Sequence, residues 1–207
     1  MMTSALLERA QAGALPIRTG AFVAIVGPSG AGKDTLIAHA KAALAGEPQV
    51  DFVRRVITRP CDGSTEEHDT LSDGDFVQAQ KDGAFALAWE AHGLRYGIPA
   101  SIDNALDNGH VAVANLSRGA LPALRERYAN VAVVEVTADP EILASRLAGR
   151  GRETREEILA RLARTISYDT TGPSIALDNG GAPEVAGEKL VAIIRKAMAF
   201  ADMSGTV

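Results

Sequence analysis

The sequence contains little cysteine and few aromatic residues, and it has no long apolar run. Cys61 is the only cysteine among the 207 residues, which excludes an internal disulfide and a zinc site built from several thiolates. No segment approaches the roughly 18 apolar residues that a membrane-spanning helix needs. The first residues, MMTSALLERAQAG, lack the basic start and continuous apolar region of a secretory signal. We therefore expect a cytoplasmic protein that does not bind a membrane.

Lysine is scarce as well, although basic residues are not. The 21 basic residues comprise 16 arginines and 5 lysines, and the net charge of −5 at pH 7 disfavours binding to nucleic acid. Arginine presents a planar fork that binds a phosphate through two hydrogen bonds. Codon bias in an alanine-rich protein would produce the same excess, so the positions of the arginines have to decide between the two explanations.

Short apolar runs alternate with helical patterns along the chain. Strands are predicted at Ala21 to Val26, Phe52 to Thr58, Phe85 to Trp89, Val111 to Ala114, Val131 to Thr137 and Ile175 to Leu177. Helices are predicted at Lys33 to Leu44, Asp73 to Lys81, Ile102 to Asp107, Arg118 to Tyr128, Asp139 to Ala148, Thr154 to Tyr168 and Pro183 to Ala201, with Ser101 and Asp139 as N-caps. This alternation indicates an α/β fold, with a central parallel sheet covered by helices on both faces.

A glycine-rich loop follows the first predicted strand and leads directly into a helix. It matches the G-x-x-x-x-G-K pattern of a phosphate-binding loop and runs Gly27, Pro28, Ser29, Gly30, Ala31, Gly32 and Lys33. Glycines allow the backbone N–H groups to turn inward around a phosphate, and Lys33 then reaches the β- and γ-phosphates. Asp34 stands where Ser or Thr usually meets Mg²⁺, with Thr35 one place later, so the Asp34 carboxylate is the predicted metal ligand. The pattern predicts binding of a nucleoside triphosphate.

Three arginines cluster at the end of the helix predicted from Asp139. Arg146 and Arg150 are four residues apart and share a helix face, and the glycines on either side of Arg150 would let Arg150 and Arg152 close as a lid. A lid arginine over the γ-phosphate neutralises charge in the transition state and excludes water. The alternative, a solvated helix whose arginines pair with neighbouring glutamates, is favoured for Arg155 and Arg164.

A second basic group lies on and just after the second predicted strand. Consecutive strand residues point to opposite faces, so Arg54 and Arg55 are not expected to face the same ligand. Arg55 and Arg59 are therefore the predicted contacts for the phosphate of an acceptor substrate.

Several segments together resemble the guanylate-kinase-like branch of the P-loop kinases. They are GPSGAGKD, RVITRP, the later YG pair and RLAGRGRE, and the resemblance covers about residues 22–190. More narrowly, GKDT, the stretch from Glu66 through His68 to Ser72, FALAWEAHGLRYGIP, NLSRGALP and ALDNGG resemble the ribose 1,5-bisphosphate phosphokinase family. The resemblance implies one three-layer P-loop kinase domain over residues 1–207. Its core would lie at 21–50, 110–145 and 170–207, its acceptor-binding segment at about 51–100 and its lid at about 146–165.

The narrower resemblance also implies a reaction. It is phosphoryl transfer from ATP, with Mg²⁺, to the 1-phosphate of ribose 1,5-bisphosphate, a small-molecule substrate in phosphonate degradation, giving 5-phosphoribosyl 1-diphosphate (PRPP) and ADP. A phosphate acceptor has a second pKa of about 6 and is largely dianionic at pH 7, so it needs charge neutralisation and alignment but no general base. In this interpretation the acceptor phosphate is held by Arg55, Arg59 and Tyr96, and the transferred group by Arg146, Arg150 and Arg152.

Further acceptor contacts are expected near the predicted strands. Asn115, Ser117 and Arg118 follow the strand that starts at Val111, and ligands collect at the carboxyl ends of strands in parallel sheets. Four residues are candidates for hydrogen bonds to ribose hydroxyls, with a surface or structural role equally open for each: Glu66, His68, Glu90 and His92.

Two other functions are weighed against this one. The resemblance implies that a guanylate kinase would carry an acidic residue beside the position of Phe85 to read guanine, but Ala86, Leu87 and Ala88 follow here. Leaving the N–H groups of guanine unpaired costs about 1–3 kcal/mol per group. A non-catalytic binding module of the same fold should have lost the loop lysine or the lid arginines, and this chain keeps both. A monomer and a homodimer are both compatible with the sequence.

Overall fold

The computed structural model describes residues 16–17, 19–59, 67–148 and 172–204. Its strands are β1 (Ala21–Val26), β2 (Val50–Phe52), β3 (Arg55–Ile57), β4 (His68–Thr70), β5 (Phe85–Ala91), β6 (Leu94–Pro99), β7 (Val111–Asn115), β8 (Val131–Thr137) and β9 (Ile175–Asp178). Its α-helices are α1 (Lys33–Ala43), α2 (Asp73–Lys81), α3 (Ile102–Asp107), α4 (Leu121–Arg127), α5 (Pro140–Ala148) and α6 (Pro183–Ser204), and a 3₁₀ turn covers Arg118–Ala120. No helix within the described ranges is both long and apolar enough to cross a membrane.

The central sheet is parallel and has the strand order β2-β7-β1-β8-β9. Strand β1 lies in the middle, and all six of its residues are buried. Because alternate residues of a strand point to opposite faces, Val23 and Ile25 join the core formed with α1, α5 and α6, whereas Phe22 and Ala24 join the core formed with α3 and α4. The predicted α/β fold, with helices on both faces of a parallel sheet, is confirmed.

A second, smaller sheet has the order β4-β3-β6-β5. Strands β5 and β6 form an antiparallel hairpin whose two turn residues, His92 and Gly93, have φ values of +53° and +73°. The side chain of Phe85 packs against Gly97 of β6, where an added Cβ would lie 2.6 Å from the ring. The same ring stacks on Phe76 of α2 with a centroid separation of 4.5 Å, so α2 is attached to this sheet.

One predicted strand is wrong as a single element. The segment Phe52–Thr58 contains the end of β2 and all of β3, which belong to different sheets, because the chain leaves the parallel sheet and passes through Val53 and Arg54. Strands β4 and β6 were not predicted: β4 is too short to show an alternating pattern, and β6 contains glycine and proline, which are typical of turns. The other predicted elements in the described ranges agree to within one helical turn. The helix predicted at Thr154 to Tyr168 lies outside the described residues.

The helix starts differ in how they are capped. The Ser101 prediction is wrong, because that residue has helical backbone angles (φ −58°, ψ −22°) and its side chain makes no capping hydrogen bond. The Asp139 prediction is confirmed, since its Oδ1 accepts the N–H of Glu141 at 2.8 Å. Helix α2 has a serine cap that the sequence analysis overlooked: Oγ of Ser72 accepts the N–H of Asp75 at 3.1 Å.

The two serines provide a matched test of capping energy. Ser72→Ala is expected to lower the free energy of unfolding by about 1 kcal/mol, because the N–H of Asp75 loses its acceptor at the helix start. Ser101→Ala removes the same hydroxyl from a position where it caps nothing, and we expect a change below about 0.3 kcal/mol. Urea denaturation of both variants measures the difference, and equal losses would contradict the assignment.

Candidate active site

The glycine-rich loop after β1 adopts backbone conformations that favour glycine. Gly27, Gly30 and Gly32 have φ values of +146°, +83° and +86°. A Cβ on Gly27 would lie 2.3 Å from the carbonyl oxygen of Val136, and a Cβ on Gly32 would lie 2.4 Å from Nδ2 of Asn179. Gly27 and Gly32 are thus required both by backbone conformation and by the space available.

Lys33, the first residue of α1, folds back over this loop. Its Nζ donates to the carbonyl oxygens of Gly27 at 2.9 Å and Pro28 at 3.0 Å. The N–H of Ala31 also donates to the carbonyl of Pro28, at 3.3 Å. The amine is therefore held within the curve of the loop and beside a helix N-terminus, which adds partial positive charge. This arrangement suits a bound polyphosphate.

Asn179, which follows β9, connects the loop to α5. Its side chain is buried, and its Nδ2 donates to the carbonyl oxygen of Ala31 at 2.7 Å. The backbone carbonyl oxygen of Asn179 accepts a hydrogen bond from Nη2 of Arg146 at 2.9 Å. Within the described part of the chain, Oδ1 of Asn179 and Nη1 of Arg146 are buried without a hydrogen-bond partner. Unpaired buried polar groups beside a phosphate loop are groups that a nucleotide can satisfy.

Asp34 lies beside the carboxyl end of the parallel sheet. Its Oδ1 accepts from Nδ2 of Asn115, the last residue of β7, at 2.8 Å. The described residues contain no cluster of three His, Cys, Asp or Glu side chains that could hold a metal. Mg²⁺ is commonly held by one or two carboxylates together with waters and phosphate oxygens, so a single carboxylate here fits that ion. Two other polar residues of this segment, Ser29 and Thr35, are exposed to solvent.

A cavity of about 580 Å³ lies along α1 and beside the carboxyl ends of β2 and β7. Its charged lining residues are Asp34, Lys41, Arg54, Arg55 and Glu67. Arg54 and Arg55 both belong to this lining, so the alternation that predicted contacts with different ligands does not assign them to different cavities. Arg54 lies in the connection between β2 and β3, where the alternation of a continuous strand does not apply.

The other predicted phosphate contacts lie on the second sheet. The guanidinium of Arg55 is buried and lies 5.1 Å from the centre of the Tyr96 ring, which is a cation–π contact. Nε of Arg59 is buried and has no hydrogen-bond partner among the described residues. His68 is 1% exposed, and its Nε2 contacts the carbonyl oxygen of Arg59 at 3.3 Å. Burial supports the structural alternative for His68, which holds the backbone of Arg59.

Arg118 pairs with an acidic residue that the sequence analysis missed. Its Nη2 donates to Oε1 of Glu135 at 2.7 Å, and both side chains are mostly buried. Glu135 lies opposite Val26, the residue that precedes the glycine-rich loop. A carboxylate within the apolar run VAVVEVT was the available signal. Ser117, half-buried, precedes the 3₁₀ turn and makes no capping hydrogen bond.

The remaining candidates are divided between the hairpin and the undescribed segments. Glu90 pairs with Arg95 at 2.6 Å, and His92 is exposed in the turn between β5 and β6. These positions support the surface alternative for both residues. Three predicted site residues lie outside the described residues: Glu66, Arg150 and Arg152.

Comparison with models of known protein families gives no match. Among curated proteins, the chain is 48% identical over 211 residues to ribose 1,5-bisphosphate phosphokinase PhnN of Chelativorans sp. (strain BNC1), covering 100% of both chains. It is 51% identical over 163 residues to the protein of that name from Brucella melitensis, covering 78% of this chain and 85% of the relative. It is 46% identical over 180 residues to the one from Agrobacterium fabrum, covering 84% and 96%.

Among solved structures, guanylate kinase from Anaplasma phagocytophilum is similar with a TM-score of 0.63 and 16% identity over 87% of each chain. At this identity the likeness concerns the fold, which is that of a guanylate-kinase-like P-loop kinase. The similarity to these curated relatives covers 78–100% of this chain and 85–100% of the relatives. The chain therefore belongs to the ribose 1,5-bisphosphate phosphokinase family.

Proposed function

We propose that the chain transfers the terminal phosphoryl group of ATP to the 1-phosphate of ribose 1,5-bisphosphate and releases PRPP and ADP. The observation that carries the proposal is the position of Lys33 in the glycine-rich loop, next to an arginine-lined cavity along the same helix. The names of the curated relatives support this acceptor. A kinase fold by itself leaves the acceptor open, because one fold serves many substrates.

On this proposal ATP binds to the loop Gly27 to Lys33, whose amides and lysine hold the β- and γ-phosphates. Arg146, Arg150 and Arg152 neutralise the charge that develops on the transferred group. The contact between Arg146 and Asn179, beside the loop, supports this role for Arg146. Arg150 and Arg152 are assigned the same role from the sequence pattern.

We assign Asp34 as the residue that would hold Mg²⁺. The hydrogen bond from Asn115 at 2.8 Å fixes one oxygen of the Asp34 carboxylate. Bound Mg²⁺ would supply positive charge to the phosphate oxygens of ATP, with waters completing its coordination. Thr35, the next residue on α1, is assigned to ATP binding from the sequence pattern.

The acceptor is proposed to lie in the cavity, where Arg55 belongs to the lining. Arg59 and Tyr96, which are not lining residues, are assigned with Arg55 to its reacting phosphate from the sequence pattern, and the contact of Arg55 with the Tyr96 ring supports grouping these two. The positive charge of Arg55 and Arg59 reduces the repulsion between the two anionic phosphates. Together with Tyr96, these arginines align the acceptor oxygen with the phosphoryl group. No general base is assigned, because the acceptor phosphate is largely dianionic at pH 7. Asn115 lines the cavity, whereas Ser117 and Arg118 are assigned to the acceptor from the sequence pattern.

We also propose one domain with the ranges expected from the sequence: a nucleotide-binding core at 21–50, 110–145 and 170–207, an acceptor-binding segment at about 51–100 and a lid at about 146–165. Four strands of the parallel sheet fall within the core ranges, and the whole second sheet falls within the acceptor range, which supports this division. The proposed enzyme acts on small molecules in the cytoplasm and does not bind nucleic acid.

Release of ADP from ATP and Mg²⁺ tests the reaction directly. We expect release with ribose 1,5-bisphosphate, formation of PRPP in equal amount, and no release above background with GMP. Each acceptor is assayed at the same concentration, and PRPP is identified by its mass. Turnover of GMP without turnover of the sugar bisphosphate would replace this function by guanylate phosphorylation. No turnover of either acceptor would contradict the proposal.

A further inference from the structure

Three cationic side chains line the cavity, Lys41, Arg54 and Arg55, together with the carboxylates of Asp34 and Glu67. Arg55 and the neighbouring Tyr96 are the proposed contacts of the reacting phosphate. Lys41 and Arg54 are two further cations in the lining of the cavity. Ribose 1,5-bisphosphate carries a second phosphate, on C5, that does not react. Resting on the proposed function, we propose that Lys41, assisted by Arg54, binds this second phosphate and makes the site selective for a bisphosphate.

The geometry of α1 supports this division of the cavity. Asp34, Ala38 and Lys41 line it in turn, at spacings of four and three residues, and therefore occupy one face of the helix. Seven residues of α-helix span about 10 Å, so Lys41 lies about this far along the cavity from the proposed metal ligand. The end of the cavity at Asp34 thus adjoins the phosphate loop, which Lys33 completes. The other end has its own cation.

Lys41 and Arg54 each form an ion pair that is largely exposed to solvent. Nζ of Lys41 lies 3.1 Å from Oε2 of Glu67, with side chains that are 57% and 72% exposed. Nε of Arg54 lies 2.9 Å from Oδ1 of Asp69, with side chains that are 55% and 56% exposed, and its Nη2 donates to the backbone carbonyl oxygen of His68 at 3.3 Å. Exposed ion pairs contribute little to stability because water screens them and both side chains lose freedom. A phosphate dianion, with more charge and three acceptor oxygens, can displace the Glu67 carboxylate from Lys41.

The two monophosphates of ribose separate the two ends of the cavity. Ribose 5-phosphate carries only the phosphate assigned to Lys41, and ribose 1-phosphate carries only the reacting one. Binding of each to the full-length protein is measured by calorimetry in the presence of a non-hydrolysable ATP analogue and Mg²⁺. For Lys41→Met we expect the Kd of ribose 5-phosphate to rise about tenfold, and that of ribose 1-phosphate to rise less than twofold.

Three further variants make the result specific. Lys41→Arg keeps the charge and should restore most of the affinity for ribose 5-phosphate. Glu67→Gln removes the competing carboxylate and should tighten binding of ribose 5-phosphate about twofold to threefold. Lys196→Met, at an exposed position of α6, removes the same charge away from the cavity and should leave both Kd values unchanged.

Equal weakening of both monophosphates in Lys41→Met, or no weakening of either, would overturn the assignment. The proposed function is judged separately, by turnover of ribose 1,5-bisphosphate in the wild-type protein. If the wild-type protein showed no turnover but Lys41→Met weakened ribose 5-phosphate binding selectively by tenfold, the proposed reaction would be rejected and the phosphate site retained. Normal turnover with no selective effect would reject the site and retain the reaction.

Discussion

Lys33→Ala is expected to lower kcat/KM for phosphoryl transfer by about a thousandfold, an effect of the size seen when one preorganised stabilising group is lost from an active site. The Nζ of Lys33 is already held within the loop by the carbonyl oxygens of Gly27 and Pro28. It therefore needs little reorganisation to meet the phosphates of ATP. Its removal leaves the charge that develops on the transferred group without this compensation.

The ADP-release assay with ribose 1,5-bisphosphate measures this effect. Lys196→Ala, which removes a lysine from an exposed position of α6, is the matched control and should retain wild-type activity. Thermal denaturation of both variants checks that the fold is intact. If Lys33→Ala kept more than a tenth of the wild-type kcat/KM, the role assigned to this lysine would be wrong.

Gly27→Ala is expected to lower the free energy of unfolding by about 4 kcal/mol and to abolish ATP binding, since strain and overpacking act together. Gly27 has a φ of +146°, and its added Cβ would lie 2.3 Å from the carbonyl oxygen of Val136. Val136 belongs to β8, which is paired with β1 and β9, so its backbone cannot move aside without disrupting the central sheet. The change therefore affects both the sheet and the phosphate loop.

Gly46→Ala is the control for this substitution. No atom lies within 4 Å of a Cβ built on Gly46, and its φ lies outside the positive range. We expect its free energy of unfolding to stay within about 0.5 kcal/mol of the wild type, with ATP binding retained. Urea denaturation and a nucleotide titration measure both quantities. Wild-type stability in Gly27→Ala would show that the loop tolerates a side chain at that position.

Local patterns account for the parts of the molecule that could be predicted from the sequence. The run AFVAIV is apolar on both faces, as a central parallel strand requires, and the glycines and lysine that follow it define a phosphate-binding loop. Strand β8 and helix α2 were likewise predicted at their observed bounds. These signals depend on residues close together in the chain, and the motifs that indicated the family are of the same kind.

The tertiary structure decided which distant side chains meet at the site. Asn179 donates a hydrogen bond to the carbonyl oxygen of Ala31, 148 residues away, and Arg118 of the 3₁₀ turn is paired with Glu135 on strand β8. Arg54 and Arg55 share one cavity because the chain changes sheets between Phe52 and Arg55. The sequence by itself therefore determined the fold class, the phosphate loop and the family. The composition of the acceptor cavity depends on the path of the chain between elements, and no pattern within a single segment encodes that path.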